Sequence, residues 1–196
     1  MTVIEMVWNR KGWGFLGGGP SCEKDFWSEY RQLDQTNVGK VLTAMRHEYL
    51  NKHTCAPEFG DVLDVGVGGG AFCISVPCMG TDIDLDALAW LEENEQLWDQ
   101  SEVATMTFWD SIEHIRHPGE LLNKCRGTVL LSTPIYRDFE HCINSKHYKP
   151  GEHLWYFTDR GLKIFMAEAG FMCVDQNRME ESVGREDIGT YAFSRA

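Results

Sequence analysis

The stretch Asp61–Ala71 reads DVLDVGVGGGA, an apolar, β-branched run (Val62, Leu63, Val65) that breaks into four glycines within five residues, Gly66, Gly68, Gly69 and Gly70. A strand that ends in glycines lets backbone approach a ligand closely, because no Cβ blocks the way. A helix that follows such a loop turns its free N–H groups toward the same ligand. Asp64 stands two residues before the first glycine, near the strand end, where a carboxylate suits a cationic or hydroxyl-rich ligand. These residues predict a nucleotide-type cofactor site. Asp82, in GTDID, lies 16 residues after Gly66 at the end of a second predicted strand. A carboxylate there can accept both hydroxyls of a ribose.

Two cofactors compete for the loop. Gly66, Gly68 and Ala71 satisfy the dinucleotide fingerprint G-x-G-x-x-G/A, and Gly66, Gly68 and Gly70 satisfy G-x-G-x-G equally well. The ribose role of Asp82 is common to NAD and S-adenosylmethionine. Asp64 separates them. A carboxylate at that point repels an anionic pyrophosphate, whereas the sulfonium and amino-acid head of S-adenosylmethionine suit it. An NAD-dependent oxidoreductase therefore rests on the glycine fingerprint alone.

The elements that must position these residues follow from periodicity. Residues 1–24 form an arm or short hairpin, with Trp8, Trp13 and Phe15 set among glycines. Residues 25–57 are a helical cap, with Phe26, Tyr30 and Leu33, then Val38, Val41, Leu42, Met45 and Tyr49, at three- and four-residue spacing. Thr36 or Asn37 caps the second helix. From residue 58 to 196 strands alternate with helices, which predicts one α/β domain with a mostly parallel sheet. Predicted strands are Val62–Val65, Gly80–Ile83, Val103–Trp109, Thr128–Ser132, Phe171–Val174 and Thr190–Ser194, with helices including Leu85–Leu91 and Asp159–Ala169. Residues 134–157 read as a long polar and aromatic connection. Such folds bind ligands beyond the carboxyl ends of their strands.

At this point the chain resembles the class I S-adenosylmethionine-dependent methyltransferases. DVLDVGVGGG looks like their first motif and GTDIDLDALAWL like their second. FWDSIEHIRHPGELL resembles the segment after strand four in the small-molecule branch, LLSTP the fifth strand and its exit, and GEHLWYFTDRGLKIFMAEAGF the stretch before strand six. The wording of FWDSIEHI and SKHYKPGEHLWYFT is similar to phage-encoded members. The resemblance covers roughly residues 58–175. It implies a Rossmann-like sheet of seven strands, flanked by helices, with an antiparallel last strand. It also implies S-adenosylmethionine as cofactor and S-adenosylhomocysteine as product. One departure stands out: only about 20 residues separate Asp82 from strand four, so strand three must be reduced, to Gln96–Trp98, or missing. Trp98 or Asp99 is then expected at the adenine. Ile83, Trp109 as a pocket wall and Asp110 complete the expected cofactor set, with Tyr30 or Arg31 at the methionine carboxylate.

Methyl transfer from a sulfonium is an in-line displacement, and the protein supplies binding, alignment and exclusion of water. A hydroxyl nucleophile needs a base, and His114 of the EHI segment is the candidate, with Glu113 to orient it. Glu113, His114 and Asp110 could alternatively ligate a divalent ion. Tyr136, His141, His147 and Tyr156, in the 134–157 connection, are the expected acceptor contacts. His141, His147 and His153 recur every six residues, but metal sites need convergent geometry that spacing does not supply, and no metal is expected. A module that holds the cofactor without catalysis is the alternative reading.

A formal charge of −12 argues against an extended nucleic-acid surface. Seven cysteines with no C-x-x-C pair read as reduced thiols rather than a disulfide framework. No apolar run has the length of a membrane span. A cytoplasmic protein acting on a small-molecule acceptor is expected, that of a host cell if phage-encoded, with a homodimer left open.

Overall fold

A computed structural model describes residues 6–17, 26–55 and 57–196. The expectations for residues 1–5 and 18–25, Cys22 among them, lie outside the described residues.

The arm is a hairpin of β1 (Met6–Trp8) and β2 (Trp13–Leu16). Asn9 Oδ1 accepts from the backbone N–H of Lys11 and Gly12, at 2.8 and 3.2 Å, and this local bonding closes its turn. Two helices follow, α1 (Phe26–Gln35) and α2 (Asn37–His53). Thr36 caps the second, its hydroxyl accepting from Gly39 N at 3.0 Å. No residue of α1 is buried, so that helix rests on the molecule rather than inside it. The α/β part then runs β3 (Val62–Val65), α3 (Ala71–Ser75), β4 (Met79–Thr81), α4 (Leu85–Glu93), β5 (Val103–Trp109), α5 (Pro118–Leu122), β6 (Cys125–Tyr136), α6 (Phe139–Asn144), β7 (Trp155–Thr158), α7 (Asp159–Glu168), β8 (Phe171–Asn177) and β9 (Ile188–Arg195).

The main sheet has the order β4-β3-β5-β6-β9-β8. Its first four strands are parallel, and β9 is antiparallel to both β6 and β8. Every residue of β3 is buried, as a strand covered by helices on both faces requires. The core holds Leu63, Met106, Phe108, Leu131 and Phe193, each with no exposed surface. The third parallel strand is reduced to a single bridge between Gly80 and Leu97, with Gly80 N donating to Gln96 O at 2.8 Å. That is the reduction its short sequence demanded.

The connection after strand five is more regular than its polarity suggested. β6 continues to Tyr136, α6 follows, and β7 pairs in parallel with Ile135 and Tyr136. β2 then pairs with β7 antiparallel, so the hairpin extends the sheet. Buried Tyr136 and Tyr156 pack with Leu16 and Cys142 and stabilise this edge as a separate cluster. Because the chain leaves β3 toward β4 on one side and returns to β5 on the other, a crevice opens at their carboxyl ends.

Candidate cofactor and acceptor site

The glycine loop fills that crevice. Gly66, Gly68 and Gly70 have φ of +79°, +55° and +85°, a region that L side chains rarely adopt. A Cβ on Gly66 would also lie 2.6 Å from Ser111 Cβ. We expect Gly66→Ala to cost more than about 1–2 kcal/mol, the left-handed penalty alone, in denaturant unfolding. Gly69 has a different task. A Cβ there would stand 2.7 Å from Arg31 N, so its absence lets α1 lie directly on the loop. Asp34, also on α1, accepts from Ala71 N at 3.4 Å.

Above the loop opens a cavity of about 1270 Å³. The structure brings to its wall Asp64, Gly66, Gly68, Asp82, Ile83, Trp109, Asp110, Glu113, His114 and His147 of the predicted set. Tyr30 joins them from the cap, its ring packed over Gly68. Burial and surrounding carboxylates push its hydroxyl up to about 12. Asp82 Oδ1 accepts from Ile83 N at 2.7 Å and Asp84 N at 3.0 Å, while Oδ2 faces Gly68 N at 3.4 Å. These bonds fix the carboxylate and leave Oδ2 with lone-pair capacity toward the cavity wall. Asp84 caps α4 with one oxygen and accepts from Trp27 N with the other, at 3.2 Å, which ties α1 to this strand end. Asp64 is almost wholly buried and accepts from Thr107 Oγ1 at 2.6 Å. Burial pushes its carboxyl up to about 7. Trp109 Nε1 is buried with no hydrogen-bond partner among the described residues.

Several expectations need correction. Trp98 faces the core rather than the cavity, and its Nε1 donates to Ser101 O at 3.0 Å. Asp99 accepts from Ser101 N at 2.9 Å. With strand three cut to one bridge, the chain turns at once to the start of β5, at the opposite end of the sheet from the glycine loop. Arg31 is not in the cavity wall, and its guanidinium sits over the Trp27 ring. Tyr136 and Tyr156 are buried, and their hydroxyls donate to His147 O and His153 O, at 3.0 and 3.2 Å. They pack the connection onto the sheet edge instead of meeting an acceptor. His141 lines a different cleft, beside Arg137 and Asp138.

Asp110 lines the cavity but is committed to two arginines. Its Oδ2 accepts from Arg46 at 2.6 Å and from Arg185 at 2.7 Å. Burial opposes its ionisation, yet the two guanidinium groups prevail and hold it down at about 2. Both arginines also bind Glu180, which has no exposed surface. Asp110 sits at φ +56°, a strained turn over-determined by these four charges. Arg46, Glu180 and Arg185 escaped sequence reasoning. Arg46 gave one signal, a cation in the helical row of Leu42, Tyr49 and Leu50, all buried. Glu180 and Arg185 lie in irregular chain and gave none.

Beyond Asp110 the wall is lined by Glu113, His114 and His153. Leu154 N donates to Glu113 O at 2.8 Å, pinning the turn after β5 to the segment before β7. Thr133 Oγ1 donates to Glu113 Oε2 at 3.0 Å. Burial pushes the Glu113 carboxyl up to about 8. His114 Nδ1 bonds Glu152 O at 2.9 Å, so Nδ1 carries the proton and Nε2 keeps its lone pair. Burial lowers both histidines, His153 to about 3, so both are neutral imidazoles. His141 and His147 do not join His153 as a ligand set, since one faces another cleft and the other bonds Glu186 O at the rim.

A mostly parallel sheet with one reduced strand, an antiparallel last strand and an acidic–glycine loop at its carboxyl end defines the class I S-adenosylmethionine-dependent methyltransferase fold. A family model described as a methyltransferase domain matches residues 35–176, and the chain belongs to that family. Among solved structures the chain is similar to magnesium protoporphyrin IX methyltransferase (ChlM) from Synechocystis PCC 6803 with bound SAH, at 12% identity over 90% of each chain and a TM-score of 0.58. It is similar to the glycopeptide N-methyltransferase MtfA complexed with S-adenosyl-L-methionine, at 13% identity over 79% of this chain and 87% of that one, with a TM-score of 0.55. The [4+2]-cyclase SpnF is similar too, at 10% identity over 91% and 86%, with a TM-score of 0.57. No curated protein sequence matches. Among the described residues no helix is long and apolar enough to cross a membrane.

Proposed function

We propose that this protein transfers a methyl group from S-adenosylmethionine to a small-molecule acceptor. The observation that carries the reading is one cavity with a glycine loop and two acidic strand ends on one wall and Glu113, His114 and His153 on another. The residues fit the cofactor: the glycine loop presents its backbone to the cavity, Asp82 Oδ2 has lone pairs to spare, and the Trp109 N–H lacks a partner among the described residues. S-adenosylmethionine, when bound, supplies a methyl group already activated on sulfur. Asp82 would accept from the ribose hydroxyls, and Asp64 would hold the ammonium group. Trp109 and the α1 residue Tyr30 cover the site and exclude water. His114 Nε2 takes the proton of an acceptor hydroxyl, while Nδ1 stays donated to Glu152 O and fixes the ring.

Calorimetric titration of the cofactor-stripped protein tests this. S-adenosylmethionine and S-adenosylhomocysteine should bind in the micromolar range and NADH should not. Asp82→Ala should weaken the sulfur compounds by about 1–3 kcal/mol, the loss of a charge-assisted hydrogen bond. Equal affinity in that variant would remove the ribose assignment. Asp64 adds a pH dependence. Burial holds its carboxyl near 7, above its ordinary 3.8, so the folded chain binds the extra proton. Stability contributed by Asp64 therefore falls as pH rises from about 4 through about 7. Cofactor affinity should do the opposite, rising through pH 7 as the carboxylate forms to meet the ammonium. Asp64→Asn should flatten that rise.

A protein of similar fold is described as a [4+2]-cyclase, so the fold by itself does not require methyl transfer, and the second reading is a chain that binds the cofactor without transferring its methyl group. Release of S-adenosylhomocysteine in the presence of an acceptor panel separates the two.

A further inference from the structure

We propose that Glu113, His114 and His153 bind a divalent first-row transition ion of the zinc or iron(II) type. One ligand atom from each lies within 4.8 Å of the others. The ligands come from two segments that the Leu154 N to Glu113 O bond holds in register. Both immediate outer contacts are those a metal site uses. The His114 Nδ1 proton is given to the Glu152 carbonyl, which leaves Nε2 bare, and Thr133 orients the Glu113 carboxyl. His153 carries the independent sign. It is 5% exposed, and its Nδ1 is buried with no hydrogen-bond partner among the described residues. An unused buried polar atom costs stability unless something completes it.

The chemistry of the set selects the ion. Two imidazoles and one carboxylate suit zinc, iron(II), cobalt and nickel, whereas magnesium and calcium take oxygen ligands. Three protein ligands leave a coordination position open, the pattern of catalytic rather than structural sites. All three residues line the cavity, so an ion that they held would stand at its wall. An acceptor hydroxyl held on the ion would release its proton to solvent water more readily than a free hydroxyl; in the ion-loaded chain the ion would so take over the activation that His114 Nε2 gives in the ion-free chain. This last consequence rests on the proposed methyl transfer; the binding of the ion does not. The competing account of the pair is ring packing alone, since the His114 and His153 rings meet edge-on at 4.7 Å.

The test is titration of the full, EDTA-treated chain with cobalt(II), followed by zinc competition, with no S-adenosylmethionine present. We expect one equivalent to bind with the visible spectrum of nitrogen and oxygen ligands and no thiolate charge-transfer band. His153→Asn and Glu113→Gln should weaken binding by more than about 100-fold, and Thr133→Val by about 10–100-fold, as for an outer contact. If His153→Asn does not fold, Thr133→Val and the spectrum of the native chain decide. No stoichiometric binding, a thiolate band from one of the seven cysteines, or unchanged affinity in the variants overturns the proposal. Cofactor calorimetry is a separate titration, so failure of one reading is distinguishable from failure of the other.

Discussion

Arg46→Met should lower the unfolding free energy by about 3–5 kcal/mol, the cost of leaving buried carboxylates without one of their partners. Arg46 is only 15% exposed at its side chain and holds Asp110 at 2.6 Å and Glu180 at 3.0 Å. Its plane also lies over the Trp109 ring at 5.3 Å, so the substitution removes a cation–π contact in the same step. Arg185 cannot compensate, because it already bonds both acids. Urea unfolding at constant slope would measure the loss. The double variant Arg46→Met with Glu180→Gln should lose less than the sum of the two single variants, since the neutral amide no longer needs a cation. Strict additivity would show that the four charges do not act as a unit. The deficit of Arg46→Met should also shrink on acidification, as Glu180, whose carboxyl burial already pushes up, takes a proton.

In the EDTA-treated, ion-free chain His114→Gln should reduce kcat on a hydroxyl acceptor by about 10²–10⁴-fold, the range for loss of a positioned proton acceptor. Affinity for S-adenosylmethionine should change little, because the ring bonds the Glu152 carbonyl and not the glycine loop. A parallel loss of cofactor affinity would mean that the residue shapes the pocket instead. The native pH profile offers a second check. Burial lowers the pKa of His114, so the limb of activity that requires its free imidazole should lie below 6.5, the ordinary histidine value, and should vanish in the variant.

Much of this molecule was legible in its residues because the signals are local. A β-branched run that ends in glycines reads as a buried strand followed by a tight turn, and β3 and its loop lie where DVLDVGVGGG puts them. The shortage of chain after Asp82 announced a reduced third strand, found as the Gly80–Leu97 bridge. The same shortage misplaced Trp98, since a strand cut to one pair has no carboxyl end to carry a side chain to the cofactor. The 134–157 connection misled for another reason. Its residues form short elements, α6 and β7, whose buried Tyr136, Cys142 and Tyr156 pack with Leu16 from the distant N-terminal hairpin.

What the sequence by itself determined is the layered α/β sheet, the glycine loop and the acidic strand ends, because each follows from the spacing of neighbouring residues. Only the tertiary structure decided which charges share a site. Arg46, Asp110, Glu180 and Arg185 lie up to 139 residues apart in sequence, and His153 reaches His114 across 39. Distances of that kind are set by how the cap and the last connection pack against the sheet, and no local pattern records them.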